Sequence, residues 1–382
     1  MSKILRGFTA VAVASSAVAL AACSSSSAED SDSVEVALLA DISGAAAFCG
    51  ADVRDAARAA VKKANQDDML DGKTIELVEY DTGSDPREGA TAMSEIASSD
   101  AVATIFGCAS GVAVAAAPIA QDEQVPFVAM QSGTDGIVDQ GDYIFRTTAP
   151  QATFQGRQVD YWADQNVKDV AIAYQGDNPT LVELAEEIYP PLLEDAGMEI
   201  VSTDEFAADT VDFSGIASDI VKADPDAVLV EGQGTPNVTL ITQLVRSGYD
   251  GLIGASAGVA GDVLKPLGKD ANGITYPTDF HPDASYESTK QFLNEYTDIT
   301  GVPKADVDQF VAETWDATMF TIEAIGNADE ASRDDVRDEL EALTGKEYDG
   351  AVGPITFAER SAEVEGLLVK RKDGDFVVVD QS

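Results

Sequence analysis

Hydrophobic and polar positions alternate along the chain in a pattern typical of α/β proteins. Short apolar runs rich in Val and Ile, such as 34–39 and 170–174, predict strands. Helical spacing of apolar side chains follows such runs, as in 52–65 and 87–97. This alternation predicts parallel sheets built from right-handed βαβ units.

Two such arrays follow one another and predict two α/β lobes. The first array ends with a short strand at 143–146, and the second runs from a helix at 153–165 to a strand at 252–255. A chain of 382 residues is also long for a single core. The fold class is therefore α/β with two Rossmann-like lobes.

The rest of the chain predicts three amphipathic helices within 285–344 and strands within 355–379. Residues 143–153 and 276–282 lack the Pro- and Gly-rich composition of a flexible linker. They therefore predict ordered crossings between the lobes. Two lobes joined by several crossings make a cleft that can close around a ligand.

The N-terminus has the pattern of a secretory signal peptide. Lys3 and Arg6 precede an uncharged apolar run at 8–20, which is shorter than the roughly 20 residues of a spanning helix. We predict that residues 1–22 are removed on export.

A cysteine follows this run in the manner of a bacterial lipobox. Leu20-Ala21-Ala22 precede Cys23, and in a lipobox the cysteine at this position is acylated. The Ser-rich and acidic residues 23–33 predict a flexible tether. We expect Cys23 to anchor the protein to the outer face of the cell membrane; a secreted protein with a chance cysteine is the alternative.

The chain is strongly acidic, with a formal net charge of −44. Such a surface repels nucleic acid and anionic lipid, so neither is an expected partner. This charge has two possible explanations. One is adaptation to a saline habitat, where salt screens the self-repulsion, and the other is an ordinary acid-rich secreted surface.

Catalytic motifs are weak. One histidine, His281, cannot form a multi-histidine metal site, and no cofactor motif is present. Ser256 lies in Gly254-Ala255-Ser256-Ala257-Gly258, which matches the G-x-S-x-G pattern of hydrolases, but no βα unit separates it from His281. We predict no enzyme, cofactor or metal, and an esterase using Ser256 is the remote alternative.

Small polar residues gather where strands of the first lobe end, and ligands of open α/β sheets bind there. Hydroxyls and amides at helix N-termini suit an anion such as a carboxylate, although Ser and Gly at these positions also serve as helix caps. The clusters lie at 41–44, 45–50, 107–111 and 131–134.

Several motifs occur in the order typical of one known family. They are Asp41-Ile42-Ser43-Gly44, Gly50, Tyr80-Asp81, Asp85-Pro86, Gly107 with Ser110, Ala117-Pro118-Ile119-Ala120, Val125-Pro126, Ser132-Gly133-Thr134, Phe145-Arg146-Thr147 and 352–357. In this order and spacing, residues 34–379 resemble the type I periplasmic binding proteins of the branched-chain amino acid kind.

The resemblance implies two lobes joined by three crossings, with 34–148 and 280–347 in the first lobe and 149–279 and 348–382 in the second. It implies a monomer that captures a small molecule and presents it to the permease subunits of an ABC uptake transporter. A ligand-sensing receptor module shares this fold and is an alternative.

The resemblance also implies that Ser110, Ser132 and Thr134 hold a ligand carboxylate, with Gln131 beside them. In the second lobe, the loop at Ser256 lacks the acid that amino-acid binders of this family offer to an ammonium group. The expected contacts there are Glu231, Tyr174, Gln233 and Ser256. The expected ligand is a hydrophobic amino acid or a related small carboxylate, with an aromatic or aliphatic acid or an amide as alternatives.

Cys49 and Cys108 follow neighbouring strands at the predicted ligand wall. Parallel strands can bring their loops within the ~5.5–6 Å Cα separation of a disulfide, which is consistent with an exported chain. We predict that this bond braces the wall, so both residues are also counted as ligand contacts; two buried free thiols are the alternative.

Overall fold

A computed structural model describes residues 33–133, 136–260 and 263–380. The predicted signal peptide, Cys23 and the tether up to residue 32 lie outside the described residues. The chain from residue 33 onward forms two mixed sheets covered by helices, which confirms the predicted fold class. Within the described ranges, no helix is both long and apolar enough to cross a membrane.

The first sheet has eight strands in the order β11-β12-β13-β5-β4-β3-β1-β2. They are β1 (Ser33–Ala40), β2 (Thr74–Asp81), β3 (Thr104–Gly107), β4 (Phe127–Ala129), β5 (Ile144–Arg146), β11 (Tyr348–Gly350), β12 (Gly353–Ala358) and β13 (Ser361–Glu363). Strands β1 to β5 are parallel, β13 pairs parallel with β5, and β12 and β11 continue antiparallel.

The second sheet has seven strands in the order β15-β14-β10-β9-β8-β6-β7. They are β6 (Asp169–Gln175), β7 (Glu199–Phe206), β8 (Ala227–Glu231), β9 (Leu252–Ala255), β10 (Thr275–Thr278), β14 (Leu367–Lys372) and β15 (Asp375–Asp380). Strands β6 to β10 are parallel, and the hairpin of β14 and β15 adds antiparallel to β10.

Helices cover both faces of each sheet because the strands are apolar on both sides. Six pack on the first sheet: α1 (Ala47–Gln66), α2 (Pro86–Ala97), α3 (Ser110–Asp122), α9 (Glu287–Thr300), α10 (Gln309–Asn327) and α11 (Arg333–Thr344). Five pack on the second: α4 (Gly156–Asp164), α5 (Pro179–Glu183), α6 (Tyr189–Asp195), α7 (Ser214–Ala223) and α8 (Gly234–Arg246).

The C-terminal strands differ from the prediction. Residues 348–382 were expected in the second lobe, but β11, β12 and β13 pair within the first sheet. Edge pairing decides this assignment: Ser361 pairs with Arg146 of β5, and the Arg146 guanidinium donates to the Ser361 hydroxyl at 2.9 and 2.8 Å. Only β14 and β15 join the second sheet.

The chain therefore passes between the sheets three times: after β5, after β10 and after β13. The third passage, at 364–366, lies later than the predicted boundary at 347. Short segments of this kind between two lobes serve as hinges in domain closure.

The first helix begins earlier than predicted, at Ala47 rather than at Asp52. This start brings the helix against the end of β1, where a Cβ on Gly50 would lie 1.9 Å from the carbonyl oxygen of Asp41. Only glycine fits such a close approach of backbone to backbone. Four of the six residues at 45–50, which were expected in a loop, are consequently helical.

Candidate functional site

A cleft with about 710 Å³ of empty space, part of it open to solvent, lies between the lobes. The first lobe contributes residues that follow β3, β4 and β5, including Cys108, Gln131 and Thr148. The second lobe contributes Gln233 and Ser256, which follow β8 and β9. The cleft thus lies at the carboxyl ends of both parallel arrays, as predicted for ligand sites in open sheets.

Aromatic and aliphatic side chains form part of the cleft wall. Phe48 and Phe310 both line it and meet edge to face, with ring centroids 5.8 Å apart. Phe154 and Leu181 add apolar surface from the second lobe. These groups suit the hydrocarbon part of a small ligand.

Four glutamines supply amide groups to the cleft: Gln131, Gln155, Gln233 and Gln309. The backbone of Gln131 has φ 56°, and its N–H donates to the Thr148 hydroxyl at 3.0 Å. This left-handed conformation is strained for a non-glycine residue, and such strain often marks ligand sites.

Two carboxyl groups also line the cleft. Asp279 directly follows β10, and Glu313 lies on α10; only 4% and 6% of their surfaces are exposed. They are close enough to share a proton, and the Gln131 amide in the same cleft donates to Phe310 O at 3.2 Å. Burial raises the pKa of both groups, and for Glu313 the neighbouring charge of Asp279 raises it further.

The described lining of the cleft offers no basic counterpart to these acids. Among the described residues that line it, none is Lys, Arg or His. In the same parts of the chain, no cluster of three or more His, Cys, Asp or Glu side chains could hold a metal ion. Polar recognition in the cleft therefore depends on amides, hydroxyls, backbone groups and the two carboxyls.

Four of the predicted ligand contacts line the cleft: Cys108, Gln131, Gln233 and Ser256. The Ser256 hydroxyl donates to the carbonyl of Gly232 and accepts from Asn237 Nδ2 at 3.3 Å. The single histidine, His281, bonds to Phe376 O and accepts from the Asp283 N–H. Ser256 therefore lacks the general base that an esterase requires.

Ser110, predicted to bind a carboxylate, begins α3 and contacts the second lobe. Its hydroxyl lies 2.8 Å from the Thr180 hydroxyl at the start of α5, and both side chains are buried. Asn178 caps α5 by accepting from the Thr180 N–H at 3.0 Å, which fixes Thr180 in place. This hydrogen bond closes the lobes on each other.

Replacing Thr180 by valine is expected to weaken this closure. The variant keeps the shape of the side chain but leaves the buried Ser110 hydroxyl without this partner, a loss of about 1 kcal/mol or a factor of about 5 in the closed population. Small-angle scattering should give a larger radius of gyration than for the parent protein. Thr203→Val, at an exposed position on β7, is the control; equal radii for Thr180→Val and the parent protein would show that the bond does not hold the lobes.

The other two predicted carboxylate contacts belong to the loop after β4. Ser132 is fully buried, its carbonyl accepts from Arg146 Nη1 at 3.3 Å, and its hydroxyl has no hydrogen-bond partner. Its neighbour Gly133 lines the cleft. Thr134 lies outside the described residues.

Cys49 and Cys108 form a disulfide with a Cα–Cα distance of 6.6 Å. Cys49 lies in the first turn of α1 and is fully buried, so of the two only Cys108 lines the cleft. The buried Asp41 carboxylate supports the same wall by accepting from the N–H groups of Cys108 and Ala109 at 3.1 and 2.7 Å. The wall before α3 is thus held by a covalent bond and a buried acid.

Tyr174 and Glu231 do not line the cleft. The Tyr174 hydroxyl donates to Glu186 Oε1 at 2.5 Å within the second lobe. Glu231 is 1% exposed and neither carboxyl oxygen has a hydrogen-bond partner, since the adjacent Tyr189 hydroxyl donates to Gln155. Burial raises the pKa of Glu231 to about 8.

Asp279 and Glu313 were not predicted as cleft residues, although the local sequence around each indicated an unusual position. Asp279 follows the strand within the predicted crossing at 276–282. Glu313 interrupts the apolar face of a helix that is buried on nearly all sides. A charged residue on a buried helix face is unusual and points to a specific role.

Comparisons with known proteins agree with this geometry. A family model described as "Periplasmic binding protein" matches residues 33–366. A leucine-, isoleucine-, valine-, threonine- and alanine-binding protein of Pseudomonas aeruginosa is 25% identical over 365 residues, covering 94% of this chain and 92% of its own.

Two solved structures share the fold. The isoleucine complex of a branched-chain amino acid transporter substrate-binding protein from Streptococcus pneumoniae superposes with a TM-score of 0.81, at 24% identity, over 91% of this chain and 99% of that one. The benzoate complex of an ABC transporter solute-binding protein from R. palustris gives 0.80, at 20% identity, over 91% and 95%.

Proposed function

Because the chain belongs to the periplasmic binding protein family, whose members bind solutes and are not enzymes, we propose that it captures a small molecule for an ABC uptake transporter. The ligand is a branched-chain or other hydrophobic amino acid, or a related small carboxylate. The protein acts as a monomer, closes on the ligand, and then presents the closed lobes to the permease subunits.

The observation that carries this proposal is the cleft itself. It lies at the carboxyl ends of both sheets, and it combines apolar surface from Phe48, Phe154 and Phe310 with amide groups. Three chain passages and the Ser110–Thr180 contact supply the means of closing.

The relatives support two ligand classes. The Pseudomonas relative is named for aliphatic and small amino acids, whereas the solved complex from R. palustris holds benzoate. We place an amino acid first because the cleft has two carboxyl groups and, among its described lining residues, no basic side chain. An aromatic or aliphatic acid is the second candidate.

A thermal-shift screen tests the proposal. The compounds are the twenty amino acids, benzoate, 4-hydroxybenzoate and branched aliphatic acids. A ligand at about 100 times its Kd stabilises the native state by ~2.7 kcal/mol, which corresponds to a rise in Tm of roughly 5 °C. Absence of a shift with every compound would refute the proposed ligand classes.

We also propose that Cys23 carries the lipid anchor. Cell fractionation should find the parent protein with the membranes and a Cys23→Ser variant in the soluble extracytoplasmic fraction, because acyl chains provide the only predicted attachment. Ser24→Ala, which leaves the cysteine intact, is the matched control. Membrane association of the Cys23→Ser variant would exclude the anchor.

A further inference from the structure

We propose that the Asp279–Glu313 pair binds a protonated amine of the ligand, and that the cleft therefore selects compounds with an amino group over plain acids. This inference rests on the proposed function and narrows its substrate class. It assigns the positive end of the ligand to the crossing after β10 and to α10, rather than to the loop at Ser256.

The geometry supports this role. Both side chains line the cleft, and each is more than nine-tenths buried. Glu313 Oε2 has no hydrogen-bond partner, although a buried carboxyl oxygen normally has one. A ligand N–H group placed in the cleft would satisfy this oxygen.

The neighbouring charges strengthen the preference for a cation. Asp308 caps the N-terminus of α10, Asp316 lies within this helix, and the charge of Asp52 on α1 raises the pKa of Asp308. Burial raises the pKa of Asp308 and of Asp316 to about 7, so each carries only a partial negative charge at neutral pH. A ligand that carries only a carboxylate would be repelled there.

The pair holds one proton at neutral pH. Two hydrogen-bonded carboxyls in a buried site cannot both ionise readily, so Glu313 remains protonated and donates to ionised Asp279. The pair then carries a single negative charge, which matches one ammonium group. Acidification protonates Asp279 as well and removes this match.

The test compares compounds of one carbon skeleton by titration calorimetry. L-isoleucine carries both charged groups, 2-methylbutylamine lacks the carboxylate, and 3-methylpentanoate lacks the amine; benzylamine and benzoate form a second pair. We expect L-isoleucine or an amine to bind at least roughly 10-fold more tightly than the matching acid. Comparing the affinity for 2-methylbutylamine with that for L-isoleucine shows whether the preferred ligand is a simple amine or an amino acid.

Variants test the pair directly. Asp279→Asn and Glu313→Gln each leave one ionisable carboxyl, so each should lower the affinity for the amine-bearing compound moderately. The double variant leaves none and should lower it at least roughly 100-fold. Asp298→Asn removes an exposed acid of α9 that lies outside the cleft lining, so it is the control; circular dichroism confirms that each variant folds.

A pH series adds an independent reading. Between about pH 7 and about pH 5, the affinity for amines should fall by up to about 10-fold per pH unit, and the double variant should lose this trend. Binding of the acids alone would overturn the amine assignment and leave the proposed transport function standing. An unchanged amine affinity in the double variant would also overturn the assignment, and binding of none of the five compounds would overturn both proposals.

Discussion

Replacing Gly50 by alanine is expected to lower the free energy of unfolding by about 3 kcal/mol. Alanine is the better helix former by about 1 kcal/mol, so propensity alone predicts the opposite sign. The close approach decides the outcome, because the added Cβ would lie 1.9 Å from the Asp41 carbonyl oxygen and 2.5 Å from its carbonyl carbon. Both of these atoms belong to the backbone and cannot rotate away.

Denaturant unfolding measures this effect, and Gly215→Ala is the matched control. Gly215 lies in α7, and a Cβ there would meet no atom within 4 Å. The control should be neutral or more stable by up to about 1 kcal/mol. If Gly50→Ala were as stable as this control, the contact between α1 and the end of β1 would be wrong.

The Gly50 variant should also bind ligand less well than its stability loss alone explains. Asp41 holds the N–H groups of Cys108 and Ala109, which belong to the cleft wall. A displaced Asp41 backbone also displaces the carboxylate oxygen that accepts from these N–H groups. Titration at a temperature where the variant is fully folded separates this effect from unfolding.

Between about pH 5 and about pH 9, the stability of Glu231→Gln relative to the parent protein should rise by on the order of 4 kcal/mol. The Glu231 pKa is raised by burial to about 8, well above its ordinary value. The protonated carboxyl therefore stabilises the fold at low pH, and this contribution is lost as the pH rises through 8. The amide has no such loss.

Thermal unfolding at a series of pH values tests this prediction. Glu330→Gln removes an exposed carboxylate and should change stability by less than about 0.5 kcal/mol. The other titratable group beside Glu231 is Tyr189, whose pKa is raised by its own burial and by Glu231. A parallel pH profile for Glu231→Gln and the parent protein would show that the carboxyl is hydrated.

Local sequence patterns predicted most of the elements because these are decided by periodicity and capping. Asp85 and Pro86 start α2 as expected, with Asp85 accepting from the Arg87 N–H at 2.7 Å. Pairing partners were harder to predict, since Ser361 and Arg146 are far apart in sequence and meet only in the folded sheet. The strands at 348–363 were therefore assigned to the wrong lobe.

Only part of the site was predicted, because some of its contacts are also between residues that are distant in sequence. Residues that directly follow strands, such as Gln131 and Gln233, line the cleft because strand ends determine where they lie. The hydroxyl of Ser110 has the same local signal, yet its partner Thr180 comes from the other lobe. Asp279 and Glu313 come together only after the chain has returned across the cleft.

The discontinuous first sheet imposes an order on folding. Its strands β1 to β5 are complete by Arg146, but β13 and the helix α10 that covers it come after the whole second array. Long sequence separations of this kind slow folding. A chain that we propose to be exported gains from the delay, since it remains unstructured long enough to be threaded through a translocation channel.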